Sequence, residues 1–152
     1  MKYQKLLQEW VKEKEWDDEI TYDQEANKSL LNFKVNINDQ FFNTYIEGDE
    51  ERDWLFIFMY CPFNVKKEKE SDVLKLFNHI HGATYYGRLV LLDEGIVQYK
   101  QIMPLSGVEP NISLVQNVYS TAILVYETWL EDIAEVGLTK TSFKQWEENR
   151  LN

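Results

Sequence analysis

Tyr3, Leu6, Leu7, Trp10 and Val11 fall at steps of three and four. That spacing predicts an amphipathic helix of about three turns. The acidic run Asp17-Asp18-Glu19 is expected to end it, because negative charge is unfavourable at a helix C-terminus. The period then shortens to two. Leu31, Phe33, Val35 and Ile37 alternate with Asn32, Lys34 and Asn36, which predicts a half-buried strand. Asn38-Asp39 supplies a turn. Residues 41–47 read as the next strand, residues 48–53 as a charged loop, and residues 54–61 as a third strand ended by Pro62. Residues 19–23 carry a weak signal for a short strand, which the count of five leaves out. Three sequential strands on short links predict an antiparallel meander.

After the solvated stretch at residues 66–70, Ser71 reads as an N-cap and Asp72 suits a first helical turn. Val73, Leu74, Phe77, Ile80 and His81 give that helix its apolar face, and Gly82 reads as its C-terminal stop. Residues 85–92 and 96–103 read as a hairpin around Asp93-Glu94-Gly95. Ile112, Val115, Val118, Tyr119, Ala122, Ile123, Tyr126, Trp129, Leu130 and Ile133 predict a helix of about six turns, ended by Gly137. Residues 141–149 read as a short terminal helix anchored by Phe143 and Trp146. The order is α-β-β-β-α-β-β-α with a tail. It predicts an α+β fold, a mainly antiparallel five-stranded sheet with helices packed on it. One domain over residues 1–138 and a helical tail over residues 139–152 divide the chain.

Composition narrows the function classes. The 152 residues carry 16 Lys and Arg against 26 Asp and Glu, a net charge of −10. Nucleic acid and anionic membrane both demand a basic footprint, so neither is expected as a partner. A chain of this charge favours basic clients. Aromatics make up 14%, too many for a disordered chain. The longest apolar run, residues 54–61, is far short of the ~20 residues that span a bilayer as a helix. The first residues are amphipathic rather than signal-like, and a cytoplasmic location is expected. Asn27-Lys28-Ser29 and Asn111-Ile112-Ser113 are then chance matches to the glycosylation sequon.

Candidate chemistry is sparse. The six glycines fit no dinucleotide or phosphate loop. His79 and His81 are two apart on a predicted helix and point to different faces, which disfavours a shared metal; His81 is expected partly buried and His79 in solvent. Cys61, the single cysteine, reads as a buried structural thiol. No catalytic residue, cofactor or metal site is expected. The feature that stands out is the strand at residues 54–61. Trp54, Phe56, Phe58 and Tyr60 make one face apolar, and Leu55, Ile57, Met59 and Cys61 the other. A sheet covered on one side should alternate. Either the chain's own helices sandwich this strand, or its second face meets a further layer, a partner chain or a bound peptide. Phe41, Phe42 and Tyr45 add to the excess.

The segments 73–80, 86–99 and 102–105 carry a resemblance. They read Val-Leu-Lys-Leu-Phe-Asn-His-Ile, then Tyr-Gly-Arg-Leu-Val-Leu-Leu-Asp-Glu-Gly-Ile-Val-Gln-Tyr, then Ile-Met-Pro-Leu. A Leu/Asn-bearing helix, a Gly-Arg strand, an Asp-x-Gly turn and a Pro-Leu step in this order resemble the YbjN family of bacterial proteins. That family is similar in fold to the type III secretion chaperones, small acidic proteins, usually homodimers, that hold an extended client segment against hydrophobic patches. The resemblance implies a non-enzymatic, chaperone-like or regulatory module that forms a homodimer and binds a partner protein. It implies no catalytic residues. Phe42, Tyr45, Trp54, Phe56 and Phe58 are the expected contact residues. The alternatives are a small enzyme with carboxylates, Arg88 and His79 in a pocket, or a structural subunit of a larger assembly.

Overall fold

The computed structural model describes residues 1–84 and 86–151. Its elements run α1 (Lys2–Glu13), β1 (Thr21–Asp23), β2 (Lys28–Ile37), β3 (Gln40–Asp49), β4 (Trp54–Asn64), α2 (Glu70–Ala83), β5 (Arg88–Leu91), β6 (Ile96–Pro104), α3 (Ile112–Leu138) and α4 (Phe143–Leu151). Every strand pair is antiparallel, in the order β1-β2-β3-β4-β6-β5. The architecture is the expected α+β, with six strands rather than five. The added strand is β1, whose three residues pair with Lys28–Leu30 of β2. Its strength comes from that partner, not from its own weak pattern.

The hairpin between β2 and β3 turns on Asn38 and Asp39, both at positive φ (52° and 63°). A two-residue turn of this kind matches the right-handed twist of its strands. The second hairpin turns at Asp93–Gly95. Gly95 sits at φ 77°, and a Cβ there would meet the Val65 carbonyl oxygen at 2.1 Å. Only glycine fits. Tyr85, expected at the start of β5, lies outside the described residues, as does Asn152 of the tail.

Several boundaries differ from the sequence expectation. Helix α1 stops at Glu13, before the acidic run, and Glu15 takes φ 60° to turn the chain back. Pro62 does not end β4, which runs on to Asn64. The ladder to β6 instead becomes irregular between Tyr60 and Asn64, where the missing proline N–H breaks regular pairing. Ser71 is inside α2 rather than its cap, and Gly82 is helical, with the helix ending at Ala83. Gly137 does not end α3 either. It is buried within the helix, and a Cβ there would sit 3.1 Å from Val65 Cγ2. Its role is close packing, which a sequence pattern reads as a stop.

The core lies between one face of the sheet and α1, α2 and α3. Leu31, Phe33, Val35 and Ile37 of β2, Phe42 and Ile46 of β3, and Leu55, Ile57 and Met59 of β4 meet Leu7, Trp10, Phe77, Val118 and Tyr126 there. Trp10 packs with Trp16, Phe33 and Tyr119 at ring separations of 5.2–6.0 Å. Its indole N–H donates to Gln116 Oε1 at 3.1 Å, tying α1 to α3. Fully buried Tyr126 donates its hydroxyl to the Met59 carbonyl at 2.8 Å. Helix α4 docks on α2 and α3 through Trp146, buried and hydrogen-bonded to Asp132 at 2.9 Å. Phe143 N–H donates to Asp72, and Lys69 Nζ donates to the Thr141 carbonyl, both at 2.8 Å.

The acidic turn after β3 is structural. Glu50 accepts the Tyr3 and Gln4 N–H groups at 2.9 and 3.2 Å, and the Ser29 hydroxyl at 2.9 Å. It thus supplies α1 with the N-terminal cap that Met1 lacks. Glu50→Gln keeps the shape but removes the charge and an acceptor. It is expected to cost about 1 kcal/mol, read as a lowered urea midpoint with an unchanged slope. An unchanged midpoint would remove this role.

Candidate functional site

Cross-strand register places side chains on the two faces of the sheet. Directly opposed residues share a face, and Arg88, Lys100, Phe58, Tyr45 and Asn32 form one such row. The next row is Ile102, Phe56, Glu47, Leu30 and Thr21. A third runs Pro104, Trp54, Asp49, Lys28 and Asp23. On the other side of Phe58 lie Val90, Gln98, Tyr60, Asn43 and Lys34. Alternation puts all of these opposite the helices. None of Tyr45, Trp54, Phe56, Phe58 and Tyr60 belongs to the core that the helices cover.

The two-faced character of β4 therefore has a definite geometry. Leu55, Ile57, Met59 and Cys61 face the helices. Trp54, Phe56, Phe58 and Tyr60 face outward as an aromatic ladder. Trp54 and Phe56 are 5.9 Å apart, and Phe56 and Phe58 stack at 5.8 Å. Tyr45 meets Tyr60 edge-on at 5.9 Å. Lys28 lies over Phe56 at 5.4 Å and Arg52 over Trp54 at 5.7 Å. The rings and these stems shield one another, so Trp54, Phe58, Tyr60 and Tyr45 are half-buried and Phe56 is buried at 8% exposure. Ile102 is 39% exposed and Phe41, at the rim, 61%.

Of the five expected contact residues, the structure brings Tyr45, Trp54, Phe56 and Phe58 together on this face. Phe42 is a correction. It points to the helices, fully buried, with its ring 4.6 Å from that of Tyr126. The period of two decides this, since Phe42 shares a face with Thr44 and Ile46 and not with Tyr45. Tyr60, Ile102, Lys100 and Leu30 also line the face. Finding them needs the pairing register, which no single strand displays.

Polar groups on the face are organised. Tyr60 hydroxyl accepts from Gln98 Nε2 at 2.9 Å, and Tyr45 hydroxyl accepts from Asn43 Nδ2 at 3.2 Å. Glu47 faces Lys28 at 4.0 Å. Burial raises the Glu47 pKa against the opposing pull of Lys28. Asp49 is buried too, which by itself would raise its pKa. The Arg52 N–H at 2.9 Å, the Arg52 guanidinium and the Glu51 N–H, both at 3.1 Å, outweigh burial and lower it. Asp49, like Glu50, is thus committed to structure.

Arg88 and His79 are not brought together. Arg88 is on the open face, lining a depression with Val90, Lys100 and Ile102. His79 lines a separate one on α2, with Lys75, Asn78 and Phe143. His79 is not in solvent as expected. It is half-buried, its ring 5.2 Å from Trp146 and 6.2 Å from Trp129. Cys61 is buried, and desolvation pushes its thiol pKa up to about 12, despite a hydrogen bond from the Phe63 backbone. Such a thiol is a poor nucleophile. Among the described residues no three His, Cys, Asp or Glu side chains converge as a metal site requires, and no helix is long and apolar enough to cross a membrane.

A chain in the structure of the HopA1-SchA chaperone-effector complex superposes on this one with a TM-score of 0.56. The match covers 83% of this chain and 90% of that one, at 15% identity. The two chains share an α+β fold. No protein-family model and no curated protein matches the chain.

The edges of the sheet are unequal. On β5 the Leu89 N–H donates to His81 Nε2 at 2.9 Å. The histidine thereby caps the outer edge of the strand. Burial first, and then Arg88, lower the His81 pKa. At the other edge β1 covers only Lys28–Leu30, so β2 from Leu31 to Ile37 has no outer strand. The His81 contact has a pH signature. A depressed folded-state pKa makes its stability contribution complete above the unfolded value of ~6.5 and progressively lost as pH falls through the folded value. His81→Gln retains an acceptor and does not titrate. The melting-temperature difference between parent and variant is expected to shift against the parent between about pH 7 and pH 5. A pH-independent difference would show that His81 does not carry this linkage.

Proposed function

We propose that the chain is a non-enzymatic, chaperone-like protein-binding module, YbjN-like, that acts in a bacterial cytoplasm. Residues 1–138 form its binding domain, and the tail at 139–152 straps α2 to α3. The observation that carries this reading is the aromatic ladder of β4, left outside the core on a sheet face that the chain's own helices do not cover. The rings shield one another, Phe56 down to 8% exposure. With the exposed Ile102 and Phe41 beside them they form an apolar face with no layer of the chain's helices over it, the kind of face that marks an interaction site. The superposed chain belongs to a chaperone-effector complex, which supports a protein or peptide segment as the ligand. Trp54, Phe56, Phe58 and Tyr45 make the contact. Burying them contributes ~25 cal/mol per Å² of apolar surface before the costs of association. The free outer edge of β2 offers backbone groups for an extended client to pair with.

The module works as a homodimer. Light scattering is expected to give about twice the 18.2 kDa of one chain; a monomer at micromolar concentration rejects that part. The binding role itself is tested with a chemically unfolded client protein diluted into buffer without ATP. The chain is expected to suppress light scattering from client aggregates at near-stoichiometric amounts. Failure to do so at a tenfold excess rejects holding of unfolded clients.

A further inference from the structure

The net charge of −10 favours a basic client, but the charge at one end of the open face is of the opposite sign. Arg88 of β5 and Lys100 of β6 are directly opposed across the ladder. Like charges so placed are destabilising, and among the described residues neither forms an ion pair. Among the described residues the Arg88 guanidinium donates to the Tyr86 and Gly87 carbonyls, at 3.4 and 3.2 Å, and to no carboxylate. The carboxylates that share the face are engaged elsewhere. Asp49 is closed off by Arg52, Glu47 faces Lys28, and Asp23 accepts the Glu25 and Ala26 N–H groups. The two cations adjoin the aromatic ladder. Lys100 is directly opposite Phe58, and Ile102, two residues on, is opposite Phe56. Both cations line one open depression with Val90 and Ile102.

We propose that this end of the face is a carboxylate subsite for an extended, acidic-apolar client segment. A client Asp or Glu side chain lies between Arg88 and Lys100, and its apolar neighbours lie on Val90, Ile102, Phe56 and Phe58. The proposal rests on the aromatic face being the client surface and names what that surface selects. An extended chain repeats on one side every two residues, ~6.8 Å apart, which is also the spacing from the Lys100 row to the Ile102 row of the sheet beneath. Carboxylate and apolar side chain two residues apart therefore reach both rows at once. The segment crosses the face rather than extending the sheet at β5, because His81 already occupies the Leu89 N–H on that edge. A nucleic acid would fit the cation pair but would bring repeated negative charge against an acidic molecule.

The test uses three fluorescein-labelled nonapeptides, alike except for a central Glu, Gln or Lys, with Leu two residues to either side. Anisotropy titrations against the full chain are expected to give the Glu peptide about fivefold tighter binding than the Gln peptide, with the Lys peptide weakest. The preference should shrink at high salt. In Arg88→Gln/Lys100→Gln the Glu and Gln peptides should bind alike. Equal affinities in the parent chain, or a preference for Lys, overturn the carboxylate subsite and leave the aromatic face as a client surface. Failure of all three peptides to bind overturns both. So does a dimer that dissociates in the double variant, because the face then belongs to a second copy of the chain.

Discussion

Gly48→Ala is expected to melt about 6–12 °C below the parent chain, a loss of about 3 kcal/mol. Gly48 is on the helix side of β3, where Tyr3 of α1 lies flat against it. A Cβ at that position would stand 2.1 Å from Tyr3 Cβ and 2.6 Å from its Cγ. No rotamer of Tyr3 relieves a clash with its own Cβ, so the start of α1 must lift. That start is pinned on the same side. Tyr3 N–H is held by Glu50, its hydroxyl reaches Asp53 at 3.4 Å, and Lys2 pairs with Asp53. Lifting the helix therefore breaks its cap as well as its packing. Gly82→Ala is the matched control. Gly82 is in an exposed stretch of α2 with nothing within 4 Å of an added Cβ, and the change is expected to raise stability by about 0.5–1 kcal/mol. Equal melting of both variants with the parent would mean that Tyr3 does not pack on Gly48.

The elements that the sequence displays best are those whose own periodicity carries their burial. Helices α1 and α3 and strand β2 keep an apolar face in every turn or every second residue, and they stand where that pattern puts them. What the pattern hides depends on a neighbour. Gly137 reads as a stop because glycine favours helix ends, yet it lies inside α3, where a Cβ would crowd Val65 Cγ2 at 3.1 Å. Pro62 reads as a breaker, yet β4 continues past it at the expense of an irregular ladder. The candidate site divides in the same way. The excess of aromatics on β4 is visible in the chain, because both phases of one strand are apolar. Which phase lies outside the core is not visible, since that depends on where three helices pack. Phe42 is close to Tyr45 in sequence, but its phase puts it on the helix side. Arg88 and Lys100 are twelve residues apart along the chain, and only the β5–β6 register makes them neighbours.

Trp54→Ser/Phe58→Ser is expected to weaken client binding by at least about 30-fold while the fold persists. Buried aromatic contacts of this kind are worth about 2 kcal/mol or more each when they anchor a partner, and 1.4 kcal/mol is tenfold in affinity. Neither side chain belongs to the core between sheet and helices. Their removal from the free chain forfeits the ring contacts of Phe56 with Trp54 and Phe58, about 0.5–1.5 kcal/mol each. Serine is the better replacement at position 58, because an acid there would be directly opposite Lys100 and occupy the cation meant for the client. Phe42→Leu supplies the opposite arm. Its ring is buried against Tyr126 on the helix side, so the change should lower the melting temperature and leave affinity untouched. The measurement is a pair of numbers for each variant, melting temperature and client affinity. A client surface on the open face requires the two to separate in opposite directions for the two variants. If affinity instead follows stability in both, the aromatic ladder acts only as part of the fold, and the client site lies elsewhere.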